Sequence, residues 1–157
     1  MRLIKFIHKS CLVYVVIVVL SITGCGGSGS KSKCLMVTTE NTNFRNYPST
    51  SKGKVDFAMG KYYPLKKISK KGNWYKVKDF EGDVGWVHSS LLSSEAAAIV
   101  RIKKANVRSK PDRKSNIVFY AEKGCALKVL EEKGEWVEVQ CGDGSKGWIH
   151  KNIIWRP

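Results

Sequence analysis

Two cysteines, Cys125 and Cys141, have the spacing that points most directly to covalent chemistry. They flank a predicted hairpin that turns at Glu132-Lys133-Gly134. If Glu131 pairs with Glu135 across this hairpin, Cys125 falls opposite Cys141, at a separation that a disulfide can span. The alternative is a pair of buried thiols. The spacing therefore predicts a Cys125–Cys141 disulfide.

Aromatic residues beside charged ones could bind sugar rings or peptide carboxylates. Trp74 and Trp136 each begin a strand of alternating residues, and the alternation places them on the face of Lys76 and Glu138, away from the aliphatic residues. The alternative is that each indole packs beneath the stems of long lysine side chains. Tyrosines in or beside loops are candidates of the same kind. The predicted ligand-binding residues are Trp74, Trp136, Tyr47, Tyr62 and Tyr120.

No set of residues in the sequence points to catalysis or to a metal site. No serine or cysteine nucleophile lies in a recognisable strand-turn-helix elbow, and no Cys/His pair has the spacing of metal ligands. His88 and His150 occupy equivalent positions of a repeated motif, which favours a structural role at a strand end over catalysis. We therefore expect a protein that is not an enzyme and that uses no cofactor.

The N-terminus has the pattern of an export signal. Three basic residues, Arg2, Lys5 and Lys9, precede an apolar run from Cys11 to Leu20. The ten residues of this run are fewer than the roughly 20 that a spanning helix needs. An uncleaved membrane anchor is the alternative interpretation.

The residues that follow the apolar run resemble the lipobox of bacterial lipoproteins, in the form Ile22-Thr23-Gly24-Cys25. The resemblance implies that Cys25 becomes the lipidated N-terminus, with the glycine- and serine-rich segment after it as a flexible tether. The protein would then be anchored in the cell envelope, on the outer membrane facing the periplasm in a Gram-negative cell and otherwise on the outer face of the cytoplasmic membrane. Cys34 is the odd cysteine of the mature chain, and the sequence does not decide its fate.

The rest of the chain contains one unit twice. The segment Gly72–His88 recurs with substitutions at Gly134–His150, and the matching tryptophans lie 62 residues apart. Farther upstream, Asn43–Pro48 matches Asn106–Pro111 at an offset of 63 residues. A period this long predicts two small globular modules, because the units of a solenoid are shorter. The expected divisions are a signal peptide at 1–24, a tether at 25–33, module 1 at 34–92, a linker at 93–98 and module 2 at 99–157.

Each module is predicted to be a small, partly closed β-barrel. Short β-prone segments alternate with glycine-containing turns, and no stretch of useful length has helical periodicity. Trp86 and Trp148 follow a glycine near the expected end of the barrel, and we interpret them as core residues. The predicted fold class is all-β, with two tandem small β-barrels after the signal segment.

The order of motifs in each unit resembles that of bacterial SH3 domains: Asn-x-Arg-x-x-Pro, a turn glycine, Gly-x-Trp-x-x-Val and Gly-Trp-(Val/Ile)-His. The first unit departs from it at Phe44 and Asn46, and has two extra residues between Gly60 and Trp74. The resemblance implies that the two tandem barrels are SH3-like, and that each is a non-catalytic envelope module that binds peptidoglycan or its peptides. The alternative is an adaptor that docks an envelope enzyme or a secretion component. The groove proline of eukaryotic SH3 domains is replaced by histidine, so recognition of proline-rich helices is not expected.

The charge of the chain favours anionic partners without naming one. The formal net charge is +15. Residues 34–92 contain ten basic and five acidic residues, and residues 93–157 contain thirteen and eight, so each module carries about +5. No helix-turn-helix, zinc finger or RNA-binding motif accompanies this charge, and nucleic acid is therefore not an expected partner. The oligomeric state is not determined by these patterns.

Overall fold

Strands form most of the computed structural model, which describes residues 33–157. The helical content of this part is limited to two 3₁₀ turns, Ser89–Leu91 and Lys151–Ile153, and the prediction of an all-β protein is confirmed. Within the same residues, no helix has the length and apolar character to cross a membrane. The predicted signal peptide and the lipidation site at Cys25 lie outside the described residues.

Each repeat unit forms one seven-stranded antiparallel sheet. Module 1 consists of β1 (Cys34–Val37), β2 (Thr42–Arg45), β3 (Val55–Met59), β4 (Pro64–Lys71), β5 (Trp74–Lys78), β6 (Val84–His88) and β7 (Leu92–Ser93). Module 2 consists of β8 (Ala97–Val100), β9 (Lys104–Arg108), β10 (Ile117–Glu122), β11 (Ala126–Lys133), β12 (Trp136–Gln140), β13 (Lys146–His150) and β14 (Ile154–Trp155). The strand orders are β3-β2-β6-β5-β4-β1-β7 and β10-β9-β13-β12-β11-β8-β14, so the two modules have the same topology.

The longest strand of each module contains a bulge, and this strand pairs with one neighbouring strand near its start and with another along the rest of its length. The first residues of β4 pair with β1, and the remainder pairs with β5. The register shifts between Lys67 and Ser69, and again between Val129 and Glu131 of β11. Since a bulge bends its strand and increases the local twist, these shifts allow each sheet to curl around its own core. Pro64 begins β4, where the loss of an N–H is tolerated.

The hairpin turns are tighter than the sequence suggested. Lys133 pairs with Trp136, and Lys71 pairs with Trp74, so each turn contains two residues. Gly134 and Gly72 have φ of 55° and 54°, as the first central residue of a type II′ turn requires. The predicted turn at Glu132-Lys133-Gly134 is therefore wrong, since Gly134 and Glu135 are the turn residues, and the predicted pairing of Glu131 with Glu135 is wrong because Glu131 pairs with Glu138.

Each module has its own apolar core. The core of module 1 includes Phe44, whose ring stacks on Phe57 with centroids 4.6 Å apart and fills the space beside Gly85. The core of module 2 is built from smaller residues, and partly buried Cys125 and Cys141 pack against it. The two modules therefore have the same topology, although the core side chains at equivalent positions differ in volume.

The two units align without a gap between β3 and β5, which overturns the expectation of two extra residues before Trp74. Tyr62 lies where module 2 has Gly124: the N–H of Tyr62 donates to the carbonyl of Val37 at 2.8 Å, and the N–H of Gly124 donates to that of Val100 at 2.9 Å. Both residues have a left-handed backbone, with φ of 69° and 86°. A tyrosine in this conformation is uncommon, so the sequence alone gives no reason to align Tyr62 with Gly124.

A third apolar cluster joins the modules. Met36, Tyr62 and Ala97 are buried together, and Ala126 packs against them. The C-terminus adds a polar contact, since the thiol of Cys34 donates to the carbonyl oxygen of Pro157 at 2.8 Å. The tandem modules therefore pack against each other through residues outside their separate cores.

Candidate ligand-binding surfaces

The outer face of module 1 combines two tryptophans with basic and imidazole side chains. Trp74 of β5 lies directly opposite His88 of β6, and Lys76 lies opposite Trp86. Strand alternation turns these four residues away from buried Val77 and Val87, and all four are partly exposed. We call these four residues the Trp face of module 1. The predicted position of Trp74 beside Lys76, on the face opposite the core, is confirmed.

Module 2 repeats this face with one change of charge. Trp136 lies opposite His150, and Glu138 lies opposite Trp148. These four residues, the Trp face of module 2, are partly exposed as well. The ring centroids of Trp136 and His150 are 5.3 Å apart, edge to face, as are those of Trp74 and His88 at 5.2 Å. The faces therefore share their aromatic geometry and differ in the side chain between the two indoles.

The assignment of Trp86 and Trp148 to the core is wrong. Their flanking residues are the buried ones: Gly85 and Val87 in module 1, and Gly147 and Ile149 in module 2. Because side chains alternate along a strand, burial of both neighbours turns the indole outward. Each Trp face therefore contains two tryptophans, where the sequence had predicted one.

His88 and His150 cap the 3₁₀ turns that follow their strands. Nδ1 of His88 lies 2.7 Å from Oγ of Ser90 and accepts from the Ser90 N–H at 3.4 Å. Nδ1 of His150 lies 2.8 Å from Oδ1 of Asn152 and accepts from the Asn152 N–H at 3.4 Å. These contacts favour the structural interpretation of both histidines, since the same ring also packs edge-on against a tryptophan.

Two arginines of the Asn-x-Arg motif hold the loop beside each Trp face, a role that the sequence did not reveal. Arg45 of β2 is the strand partner of Trp86, and its Nη1 donates to the carbonyl oxygen of Gly53 at 2.8 Å. Arg108 is the partner of Trp148 and donates to the carbonyl oxygen of Ser115 at 2.6 Å. The recurrence of this arginine was visible in the repeat, but the carbonyl that it binds depends on the loop conformation.

The three candidate tyrosines have different surroundings. Tyr47 is 48% exposed in the loop after β2 and lines a cavity of about 450 Å³ with Asn46 and Lys52. Tyr120 is 53% exposed on β10, with the Lys104 ammonium 3.7 Å from its ring centroid. Tyr62 is only 8% exposed at the junction of the modules, which contradicts the expectation that its ring contacts a ligand.

Cys125 and Cys141 lie side by side as thiols. Their hydrogen bond lowers the pKa of the Cys125 thiol to about 7, against the opposing effect of burial. The same hydrogen bond, together with burial, raises the pKa of Cys141. The predicted register is not the reason for this contact, because the pairing of β11 with β12 ends at Lys128 and Gln140. Cys141 directly follows this last pair, whereas Cys125 precedes the start of β11. The disulfide remains a prediction.

Module 1 has Tyr63 and Asp79 at the positions of these two cysteines. The Tyr63 hydroxyl donates to Oδ2 of Asp79 at 3.4 Å, and burial together with the nearby Asp79 charge raises the pKa of Tyr63. Oδ1 of buried Asp79 accepts from three backbone N–H groups, of Glu81, Gly82 and Asp83, at 2.8–3.0 Å. The carboxylates of Asp79, Glu81 and Asp83 lie within 4.8 Å of one another, but the hydrogen bonds of Asp79 identify it as the residue that holds this turn together.

Family models match both modules. One model described as a bacterial SH3 domain matches residues 102–156, and a second with the same description matches residues 40–93. Over 66 residues the chain is 36% identical to the protein of Bacillus subtilis named "Putative N-acetylmuramoyl-L-alanine amidase YrvJ", covering 42% of this chain and 13% of that protein. Over 68 residues it is 31% identical to the "Probable cell wall amidase LytH" of Staphylococcus epidermidis, covering 41% of this chain and 23% of that protein. The chain thus spans less than a quarter of the length of either relative.

Two solved structures are similar to part of this chain at low scores. NlpC1 of Trichomonas vaginalis has a TM-score of 0.34 at 16% identity, over 82% of this chain and 47% of that one. An NlpC/P60 family protein of Bacillus cereus also has a TM-score of 0.34 at 16% identity, over 79% of this chain and 56% of that one.

Proposed function

The chain carries two bacterial SH3 domains in tandem, and from this premise we propose that it is a non-catalytic protein of the cell envelope that binds peptidoglycan through its two Trp faces. Relatives named as cell-wall amidases match it over about two fifths of its length. The regions matched by the family models cover both modules, which supports a binding role for the part of the chain that resembles these relatives.

One observation carries the proposal. In both modules, a tryptophan lies opposite a histidine, and two residues along the strand a charged residue lies opposite a second tryptophan. All four side chains are partly exposed in each module. Partly exposed indoles contribute large contact areas to binding at little cost in conformational entropy, and tryptophan is enriched among residues that dominate interfaces. Flat rings suit sugar faces, and the neighbouring charged groups suit the termini and side chains of wall peptides. Repetition of this arrangement favours a ligand that itself repeats.

The two Trp faces are expected to prefer different groups of this ligand. Lys76 and Arg45 lie on either side of Trp86 across three adjacent strands, whereas Glu138 and Arg108 lie on either side of Trp148. A carboxylate is therefore favoured beside Trp86, and a group that includes an amine is favoured beside Trp148. Peptidoglycan supplies both kinds of group on its peptides.

Binding to purified, protein-free sacculi tests the proposal. Trp74→Ala and Trp136→Ala are each expected to weaken binding about tenfold, the effect of losing one strong interface residue. Because two modules act together, the single variants should retain part of the avidity, and the double variant should lose most of it. Val118→Ala is the matched control, since Val118 is 52% exposed on β10, outside the Trp faces.

Thermal unfolding separates binding from stability. A fully buried aromatic residue contributes roughly 3–5 kcal/mol, so an unfolded module in either single variant would show that the indole is structural. Sacculus binding by the double variant at the wild-type level would contradict the proposed site. Binding only to crude envelopes, and not to purified sacculi, would instead support a protein partner and the role of an adaptor.

The lipid anchor completes the proposed function. The lipobox-like Ile22–Cys25 segment after the apolar run supports acylation of Cys25, which would hold the Trp faces within reach of the wall. Intact-mass measurement of the membrane fraction is expected to give a chain that begins at Cys25 with added acyl mass. A mature chain that begins elsewhere would contradict the lipid anchor. It would not affect the proposal that the Trp faces bind peptidoglycan.

A further inference from the structure

The same hairpin carries opposite charge in the two modules. In module 1, β4 and β5 contain six lysines and no acidic residue: Lys66, Lys67, Lys70, Lys71, Lys76 and Lys78. In module 2, β11, β12 and their turn contain two lysines and four glutamates: Lys128, Lys133, Glu131, Glu132, Glu135 and Glu138. The formal charge is therefore +6 in one hairpin and −2 in the other. Because the two hairpins have the same strand pairing and the same bulge, the difference lies in the side chains alone.

The positive hairpin has no ionic partners among the described residues. The ion pairs within residues 33–157 are Lys128–Glu95, Lys151–Glu132 and Arg156–Glu132, at 2.6, 3.0 and 2.8 Å. All of them involve module 2, where they balance part of its charge. Acidic residues do follow β5 in the 79–83 loop, but none lies within ion-pair distance of a hairpin lysine, and Asp79 is occupied by backbone N–H groups.

The arrangement of the lysines is unfavourable for the isolated protein. Lys66 and Lys78 lie directly opposite each other on paired strands, and like charges in this position destabilise a sheet. The Lys67 and Lys70 ammonium groups lie 4.7 and 5.4 Å from the ring centroid of Tyr75, so one aromatic ring holds two positive charges near each other. An external anion would relieve this repulsion.

The distribution of charge over both faces of the hairpin indicates the shape of that anion. Lys67 and Lys70 lie on the face of Tyr75, whereas Lys66, Lys71, Lys76 and Lys78 lie on the face of Trp74, as the strand pairing requires. A flat bilayer could meet one of these faces at a time, but a flexible chain can follow both around the hairpin. The hairpin contains no arginine, so it offers point charges suited to successive phosphates rather than bidentate recognition of single groups.

We propose that the β4–β5 hairpin of module 1 binds a flexible, linear polyanion that carries repeated phosphate groups. The binding energy comes mainly from release of the counterions on the polymer and depends strongly on salt. Module 2 does not share this function, because four glutamates occupy its hairpin. The site differs from the Trp faces in ligand, but it shares Lys76 with the Trp face of module 1, and the test below therefore leaves Lys76 unchanged.

The test is binding of the full chain to inorganic polyphosphate over a range of salt concentrations. The variant Lys67→Val/Lys70→Glu/Lys78→Gln introduces the residues that module 2 has at the equivalent positions, Val129, Glu132 and Gln140, so the hairpin should tolerate them. We expect at least about a tenfold loss of affinity at low salt. The slope of log affinity against log salt should fall by about 2, since three cationic contacts are lost.

A matched variant controls for net charge. Lys103→Gln/Lys133→Gln/Lys146→Glu removes the same four units of positive charge from exposed positions of module 2, and it should change affinity less than threefold. Equal losses in the two variants would overturn the proposal, as would wild-type protein that fails to bind polyphosphate. Tighter binding to phosphatidylglycerol vesicles than to polyphosphate would also overturn it.

Two further measurements keep the outcome clear. If the triple variant unfolds, the single changes Lys70→Glu and Lys78→Gln, both at exposed positions, should each give a smaller loss in the same direction. Sacculi stripped of anionic polymer should bind the triple variant and the wild type alike. This last result separates a failure of the hairpin site from a failure of the Trp faces.

Discussion

At the scale of single residues, the two modules use one pair of positions for different chemistry. Cys125 and Cys141 of module 2 stand where module 1 has Tyr63 and Asp79, and both pairs are joined by side-chain hydrogen bonds. The pair in module 1 is locked in place by the three N–H groups that Asp79 accepts. The pair in module 2 consists of two thiols, which an oxidant can convert to a disulfide.

Oxidation of the protein is expected to form the Cys125–Cys141 disulfide. The loop closed by this bond contains about 15 residues, for which the chain-entropy model gives about 3 kcal/mol of stabilisation. Peptide mapping without reductant should recover the two cysteines in one cross-linked peptide, and module 2 should melt at higher temperature than in the reduced protein. Recovery of both as alkylated thiols after oxidation would contradict the pairing.

In the reduced protein, Cys125 should react with iodoacetamide faster than Cys141. The pKa of Cys125 is lowered to about 7, whereas that of Cys141 is raised, and the thiolate is the reactive form. As the pH rises from about 6 to 8, the rate at Cys125 should increase and level off above pH 7, while Cys141 stays slow. Cys141→Ser provides the control, and a rate at Cys125 that keeps rising well above pH 8 would argue against the thiol–thiol hydrogen bond.

At the scale of elements, a glycine permits the close approach of two strands beside the Trp face of module 2. Gly147 of β13 lies beside β9, and a Cβ placed on it would stand 2.8 Å from the carbonyl oxygen of Arg108 and 2.8 Å from Cγ1 of Val107. Arg108 is the strand partner of Trp148. The glycine therefore permits the contact between the strand of Trp148 and the strand that anchors the neighbouring loop.

The substitution Gly147→Ala is expected to destabilise module 2 by about 1–3 kcal/mol, because backbone on the neighbouring strand must move to admit the methyl group. Chemical unfolding, followed by tryptophan fluorescence, measures the change. Gly142→Ala is the matched control: a Cβ there would meet only Oε1 of Glu40, at 3.9 Å. A difference between the two variants of less than about 0.5 kcal/mol would show that β9 and β13 adjust without cost.

At the scale of the whole molecule, a strained tyrosine helps to join the modules. Tyr62 keeps a left-handed backbone, with φ of 69°, and buries its ring against Met36 and Ala97. Such conformations cost on the order of 1–3 kcal/mol and persist only where the surroundings over-determine them. The burial of the ring at the junction supplies that constraint, and it holds the two Trp faces in a defined relation to each other.

Substitution of Ala97 by glutamine should uncouple the modules. Ala97 is 5% exposed in the junction and does not belong to the core cluster of module 2, so the larger polar side chain disrupts the contact and leaves the core in place. Calorimetry is expected to show one transition for the wild type and two for Ala97→Gln. Ser94→Gln, at an exposed position of the linker, is the control, and an unchanged single transition in Ala97→Gln would contradict the coupling.

The sequence by itself determined the repeat, the all-β class and the side of the sheet on which Trp74 and Trp136 stand. These features follow from local patterns: a recurring motif, glycine turns and the two-residue alternation of a strand. The same alternation places Trp86 and Trp148 outward, and the glycine before each of them is not a sign of burial. The motif alone was sufficient to indicate bacterial SH3 domains.

Only the tertiary structure decided the features that depend on contacts between distant segments. The two-residue turns and the bulges of β4 and β11 set the register together, and no local signal marks the bulges, so the position of Cys125 relative to Cys141 could not be calculated from the expected three-residue turn. The sequence predicted Tyr62 to be a loop residue that contacts a ligand. Its burial could not be predicted, because it depends on Ala97 of the other module. Whether a segment forms a strand depends mainly on residues that are close to it in sequence. Strand register, burial at the junction of the modules and the formation of ion pairs depend on residues that are distant in sequence and that the fold brings together.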